Sequence, residues 1–119
     1  MTLTARQCLH TVRMGKLIMY ANITLGLSVK VVGWNRLLAT QKEYVAKGVS
    51  KTLNSKHLDN CATDLYIVEN GAPVYEAERY RTMGLYWKGM GTGANWGGDF
   101  GATADKLGWD PYHFESAEA

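Results

Sequence analysis

The sequence predicts an α+β fold: a small antiparallel sheet with helices packed on it. Three stretches read as helices from their apolar residues, and short strand-like runs lie between and after them. The clearest strand, Cys61 to Val68, runs into Glu69-Asn70-Gly71, a turn that sends the chain back antiparallel. The order of these elements puts the helices on one face of the sheet. A chain of 119 residues suits one domain, spanning residues 1–119.

In chain order, Leu3 to about Leu25 reads as a helix. Leu9, Val12, Leu17, Ile18 and Tyr20 form its apolar face, Thr4 its N-cap and Gly26 its stop. Leu27 to Val32 alternates and reads as a strand. Leu37 to Lys47 returns to helical spacing and ends at Gly48. Val49 to Asp59 is polar and reads as a loop. After the Cys61–Val68 strand and its turn, Pro73 to Tyr75 completes a hairpin. Glu76 to about Trp87 reads as a helix with Ala77, Tyr80, Met83 and Leu85 facing inward. Gly89 to Gly101 holds six glycines and reads as a loop around a very short strand at Asn95-Trp96. Tyr112 to Glu115 is a final strand, and Ser116 to Ala119 a frayed tail.

Composition excludes several function classes. The net charge of +2, with Lys and Arg scattered, argues against nucleic acid. No apolar run approaches the roughly 20 residues that span a bilayer. No secretory signal is visible, so the protein is expected to be made in the cytosol. Two distant cysteines, Cys8 and Cys61, do not make a disulfide framework and fit a reducing compartment. Cys61 lies beside candidate metal ligands, yet reads as a small buried strand residue. The glycines from 84 to 98 lack the Lys-Ser/Thr ending of a phosphate loop, and no βαβ context supports a dinucleotide fingerprint.

The chemistry-bearing residues fall in two short segments, Ser55 to Asp64 and Trp109 to Glu115. His57, Asp64 and His113 could supply two imidazole nitrogens and a carboxylate oxygen. That set suits a catalytic zinc with its fourth position left to water. The seven-residue separation of His57 and Asp64 lets the chain turn and bring both to one point. An acid within Ala62-Thr63-Asp64-Leu65 is costly to bury in a strand without a partner, and a metal is such a partner. Asp110 precedes Pro111, which places it at a strand entrance, where it could take and return a proton. Glu115 shares a strand face with His113 and could hold the imidazole in one tautomer, or compete with Asp110 as base. His10 reads as structural or exposed. Asp99 reads as a turn residue or a support of the site wall. Trp87, Trp96 and Tyr112 are candidates for shaping a pocket.

These segments resemble the zinc peptidases of the D-Ala-D-Ala carboxypeptidase and L-alanyl-D-glutamate endopeptidase family (peptidase family M15), which includes phage endolysins. The family pattern is Ser-x-His-x-x-Gly-x-Ala-x-Asp, followed much later by acid-x-x-His. Ser55, His57, Ala62 and Asp64 match the first part, and Asp110 and His113 the second. Residues 48–55 resemble the loop that precedes the first ligand. Arg36 falls where the family places an arginine, and Trp96-Gly97-Gly98 resembles a family segment ahead of the last histidine. The likeness runs from about Leu27 to Glu115. It implies that His57, Asp64 and His113 bind zinc and that Asp110 is the acid/base. It also implies that Arg36 contacts substrate or the developing oxyanion, and that Ser55 lies near the substrate or a ligand. The implied fold is the small α+β fold of this group, shared with the signalling domain of hedgehog proteins. One departure is Asn60, which stands where the family has glycine. Asn tolerates left-handed backbone angles better than most residues.

The expectation is therefore a zinc peptidase acting on the peptide stems of bacterial peptidoglycan. As a phage endolysin it would gather in the host cytoplasm and reach the wall after holin-type release, as a monomer. The shared ligands leave open whether L-Ala-D-Glu or a D-Ala-terminated bond is cut. The rival is a domain that keeps the metal but only binds, as hedgehog-type relatives do. Asp110 argues against it, since a binder needs no positioned base.

Overall fold

A computed structural model describes residues 1–33, 46 and 59–119. Helix α1 spans Leu3–Met19 and continues through a π-helical turn, Tyr20–Thr24, before Gly26. Its cap is Thr2, not Thr4: the Thr2 side chain accepts a hydrogen bond from the Ala5 amide at 3.1 Å. The buried stripe is His10, Arg13, Met14, Leu17 and Ala21, whereas Val12 is 53% exposed. Two polar residues thus sit on the inward face, which is why apolar periodicity alone misplaces it. His10 is structural: its ring meets Ser116 Oγ and Thr63 Oγ1, each at 2.9 Å.

Strands β1 (Ser28–Val32), β2 (Ala62–Glu69), β3 (Ala72–Pro73), β4 (Ala94–Trp96) and β5 (His113–Ser116) form one antiparallel sheet. The order is β1-β2-β5-β4, with β3 pairing the far end of β2. Asn70 and Gly71 both take positive φ, the conformation a two-residue hairpin turn requires. The helix expected in residues 37–47 falls outside the described residues, apart from position 46. The expected helix from Glu76 begins instead as a 3₁₀ turn, Ala77–Tyr80, and becomes α2, Arg81–Lys88. The Tyr80 hydroxyl explains why the chain tightens there. It donates to Val74 O (2.7 Å) and accepts from the Ile67 amide (2.8 Å), stapling the turn to the hairpin.

Along α2 the inward residues are Met83, Gly84 and Trp87; Leu85 is 56% exposed. Gly84 faces the Trp96 indole so closely that a Cβ would overlap the ring. The core joins Met14, Leu17, Leu65, Ile67, Tyr80, Met83, Trp87, Trp96 and Phe114. Trp87 packs edge-on to Phe114 and to His10 and donates to Glu115 O at 3.1 Å. Trp87 and Trp96 are therefore core residues rather than pocket walls: both are shut from solvent because α2 lies across this face of the sheet.

The C-terminal residues are not frayed. Ser116 is buried, the Ala117 amide donates to Gly93 O at 2.8 Å, and Glu118 pairs with both terminal nitrogens of Arg13. The Arg13 side chain is only 4% exposed, so the helix carries a buried cation that the tail must neutralise. Glu118→Gln would strand that charge. It is expected to cost about 3 kcal/mol and to lower Tm by roughly 10 °C in thermal denaturation. Among the described residues no helix is long and apolar enough to cross a membrane.

Candidate metal centre

From Thr63 onward, β2 alternates between buried and partly exposed residues. Thr63, Leu65 and Ile67 point into the core, so Asp64 and Tyr66 lie on the opposite face. Asp64 stands directly opposite His113 in the β2–β5 register, and residues so paired share a face. Asp64 Oδ1 lies 3.4 Å from His113 Nδ1. Asp110 approaches the same nitrogen, with Oδ2 at 3.8 Å. One donor atom from each of Asp64, Asp110 and His113 lies within 4.8 Å of the others, which makes them a candidate metal-binding group.

Glu115, two residues along β5, occupies the other ring nitrogen: its Oε1 is 2.7 Å from His113 Nε2. With Nε2 taken, Nδ1 is the nitrogen turned toward the two aspartates. Burial alone would push the His113 imidazole down. Hydrogen bonds to Asp64 and Glu115, with the charges of Asp110 and Asp64, outweigh it and raise the pKa to about 9. The metal-free centre is thus an imidazolium held by carboxylates, and a cation is the natural replacement for its proton.

Asp110 owes its position to the chain just after β4. The Asp110 amide donates to Gly97 O (3.4 Å), the His113 amide to Asp110 O (3.1 Å), and the Trp96 indole to Pro111 O (2.8 Å). A side chain at Gly97 would run into the Asp110 carbonyl and come 2.9 Å from His113 Cβ. The Trp96-Gly97-Gly98 segment is therefore the seat on which the Asp110–His113 corner rests.

Of the residues singled out in the sequence, Asp64, Asp110, His113 and Glu115 come together here. His57, Arg36 and Ser55 lie outside the described residues. Asn60 takes φ 58°, the left-handed angle that a glycine would supply. Cys61 is buried just ahead of β2, with its sulfur 3.4 Å from Arg6 Nε and from Asp59 O, and is not in the donor group. Asp99 pairs with Lys88 at 2.8 Å on the surface, a structural role.

Aromatic neighbours of the centre carry no motif. Phe100 lies 5.5 Å from the His113 ring and 5.8 Å from Trp109. On the other side Tyr66 stacks on Tyr112 at 4.6 Å and meets Tyr75 edge-on at 5.9 Å. Burial pushes the Tyr66 phenol well above its ordinary pKa, and the charges of Asp64 and Asp110 push it further, so it stays protonated. Counting by two from Asp64 along β2 is the signal that would have found Tyr66.

No protein-family model and no curated protein matches the chain. Among solved structures, the crystal structure of the Serratia marcescens L-Ala D-Glu endopeptidase ChiX is similar. The TM-score is 0.62 at 25% identity, over 87% of this chain and 79% of that one. The fold is that of this endopeptidase. Among the described residues, a small antiparallel sheet with two helices packed on it matches that fold, and the Asp64–Asp110–His113 group lies on the sheet face turned away from the core.

Proposed function

We propose that this protein is a zinc-dependent peptidase that cuts the peptide stems of bacterial peptidoglycan between L-Ala and D-Glu. The observation that carries the reading is the convergence of Asp64, Asp110 and His113 donor atoms, with Glu115 holding the far side of the imidazole. The choice of bond is supported by the similarity to an L-Ala D-Glu endopeptidase.

Imidazole nitrogen with carboxylate oxygen is a donor set that suits zinc. Asp64 and His113 Nδ1 would hold the ion, with His57 as the third ligand in this reading. A bound zinc would polarise the scissile carbonyl and make a water at the site acidic enough to attack it. Asp110 would accept a proton from the attacking water and pass it to the departing amine. Its side chain, 27% exposed, is reachable by substrate yet fixed at the strand entrance. Glu115, bonded to Nε2, would leave Nδ1 to hold the ion. Arg36 would stabilise the developing oxyanion or grip the substrate, and Ser55 would lie beside the substrate or a ligand. The role as a phage endolysin, with release from the host cytoplasm through a holin, rests on the resemblance of the two ligand segments.

Digestion of purified peptidoglycan, read by mass spectrometry, tests the reading. The expected fragments are stem peptides with a new D-Glu amino terminus. Release of free D-Ala alone would replace the endopeptidase by a carboxypeptidase. No fragments at all from folded, zinc-loaded protein would leave a metal-containing binding domain.

A further inference from the structure

The tyrosine cluster beside the centre contains one half-buried hydroxyl with no structural task. The Tyr80 hydroxyl is tied to Val74 and Ile67, and the Tyr112 hydroxyl donates to Tyr75 O at 2.6 Å. Tyr75 itself is largely exposed. Among the described residues, the Tyr66 hydroxyl makes no hydrogen bond, although its ring is clamped on two sides. Tyr112 stacks on it with planes 22° apart, and Tyr75 closes its edge at 76°. Tyr112 immediately precedes His113, and Tyr66 follows Asp64 by two residues on the same face of β2. The ring therefore stands on β2 and is stacked against the turn that leads into β5.

We propose that Tyr66 is a substrate-contacting residue whose fixed hydroxyl donates a hydrogen bond to the peptide held at the Asp64–Asp110–His113 centre. This rests on the peptidase reading above and adds a residue to it. The described part of the centre presents carboxylates, which accept hydrogen bonds and repel the carbonyl oxygens of a peptide. A neutral phenol supplies the missing donor without adding charge. Two aromatic neighbours hold it in place before substrate arrives, so little freedom is lost on binding. A hydroxyl that merely met solvent would need no such clamp.

Tyr66→Phe tests this cleanly, because it deletes the hydroxyl and keeps the stacked ring. Zinc-loaded wild type and variant are compared on a soluble stem peptide carrying the L-Ala–D-Glu bond. Tm, zinc content and calorimetric affinity for the peptide are measured alongside. The expected result is a loss of kcat/KM of about tenfold or more with Tm and zinc content unchanged. A fall in kcat would mean that the bond strengthens in the transition state, and a rise in KM that it already exists in the ground state. Unchanged kcat and KM would overturn the proposal. If the wild type binds the peptide but does not cut it, the peptidase reading fails, and Tyr66 is judged by affinity alone: weaker binding in the variant upholds the contact, equal binding removes it. If the wild type neither binds nor cuts, both readings fall.

Discussion

Asp110→Asn is expected to reduce cleavage of peptide stems by about a hundredfold to ten-thousandfold, the usual contribution of a positioned acid/base, and to leave zinc bound. The substitution keeps the size of the side chain and every backbone contact of the corner. The Gly97 O, His113 amide and Pro111 carbonyl bonds are untouched, because they use main-chain atoms of residue 110 or neighbouring residues. Only the ability to take up a proton is lost. Single-turnover rates and zinc content measured on the same preparation check this. A variant that cleaves at the wild-type rate would move the base to Glu115, the carboxylate that lies against His113 Nε2. A variant that no longer holds zinc would make Asp110 a ligand, which its 3.8 Å approach to Nδ1 leaves geometrically open.

The second large effect is expected at Asp64. Asp64→Ala should empty the centre of zinc and abolish activity, with little loss of the apolar core, since the side chain points away from Leu65 and Ile67. The same centre makes zinc uptake depend on pH in a definite direction. With its pKa raised to about 9, His113 in the metal-free protein is protonated at neutral pH. Zinc must displace that proton, so affinity should rise with pH up to about 9 and level off above it. A titration of zinc affinity from neutral pH up to about 9 should give the rise, and proton release in unbuffered solution should accompany binding. Affinity independent of pH across that window would remove His113 as a ligand.

The parts of the fold legible in the sequence are those with one-sided apolar patterns. Strand β2 is a run of apolar and β-branched residues, and Asn70-Gly71 marks its turn, so the hairpin follows directly, whereas the face of Asp64 is set by its pairing with His113. Helix α1 is legible in extent but not in phase. Its inward stripe includes His10 and Arg13, whose partners Thr63, Ser116 and Glu118 lie on distant segments. The same long-range pairing turns an expected frayed tail into an ordered one. Leu85 reads as core from its type alone, yet Gly84 takes that position because the Trp96 indole leaves room for no side chain. In the candidate centre, Asp64, His113 and Glu115 are legible because metal-ligand residue types fall in strand-like runs, and Asp110 because it precedes Pro111 and stands three residues ahead of His113. Tyr66 and Phe100 are not, since aromatic residues beside a site look like aromatic residues in a core until the face they occupy is known.

The most direct test of the account is peptidoglycan digestion by one protein preparation in three states: as purified, stripped by a chelator, and restored with a stoichiometric amount of zinc. The account predicts fragments with a new D-Glu terminus in the first state, none in the second, and their return in the third. Fragments that persist in the fully stripped protein would contradict it, because Asp64, Asp110 and His113 would then be cutting without a metal.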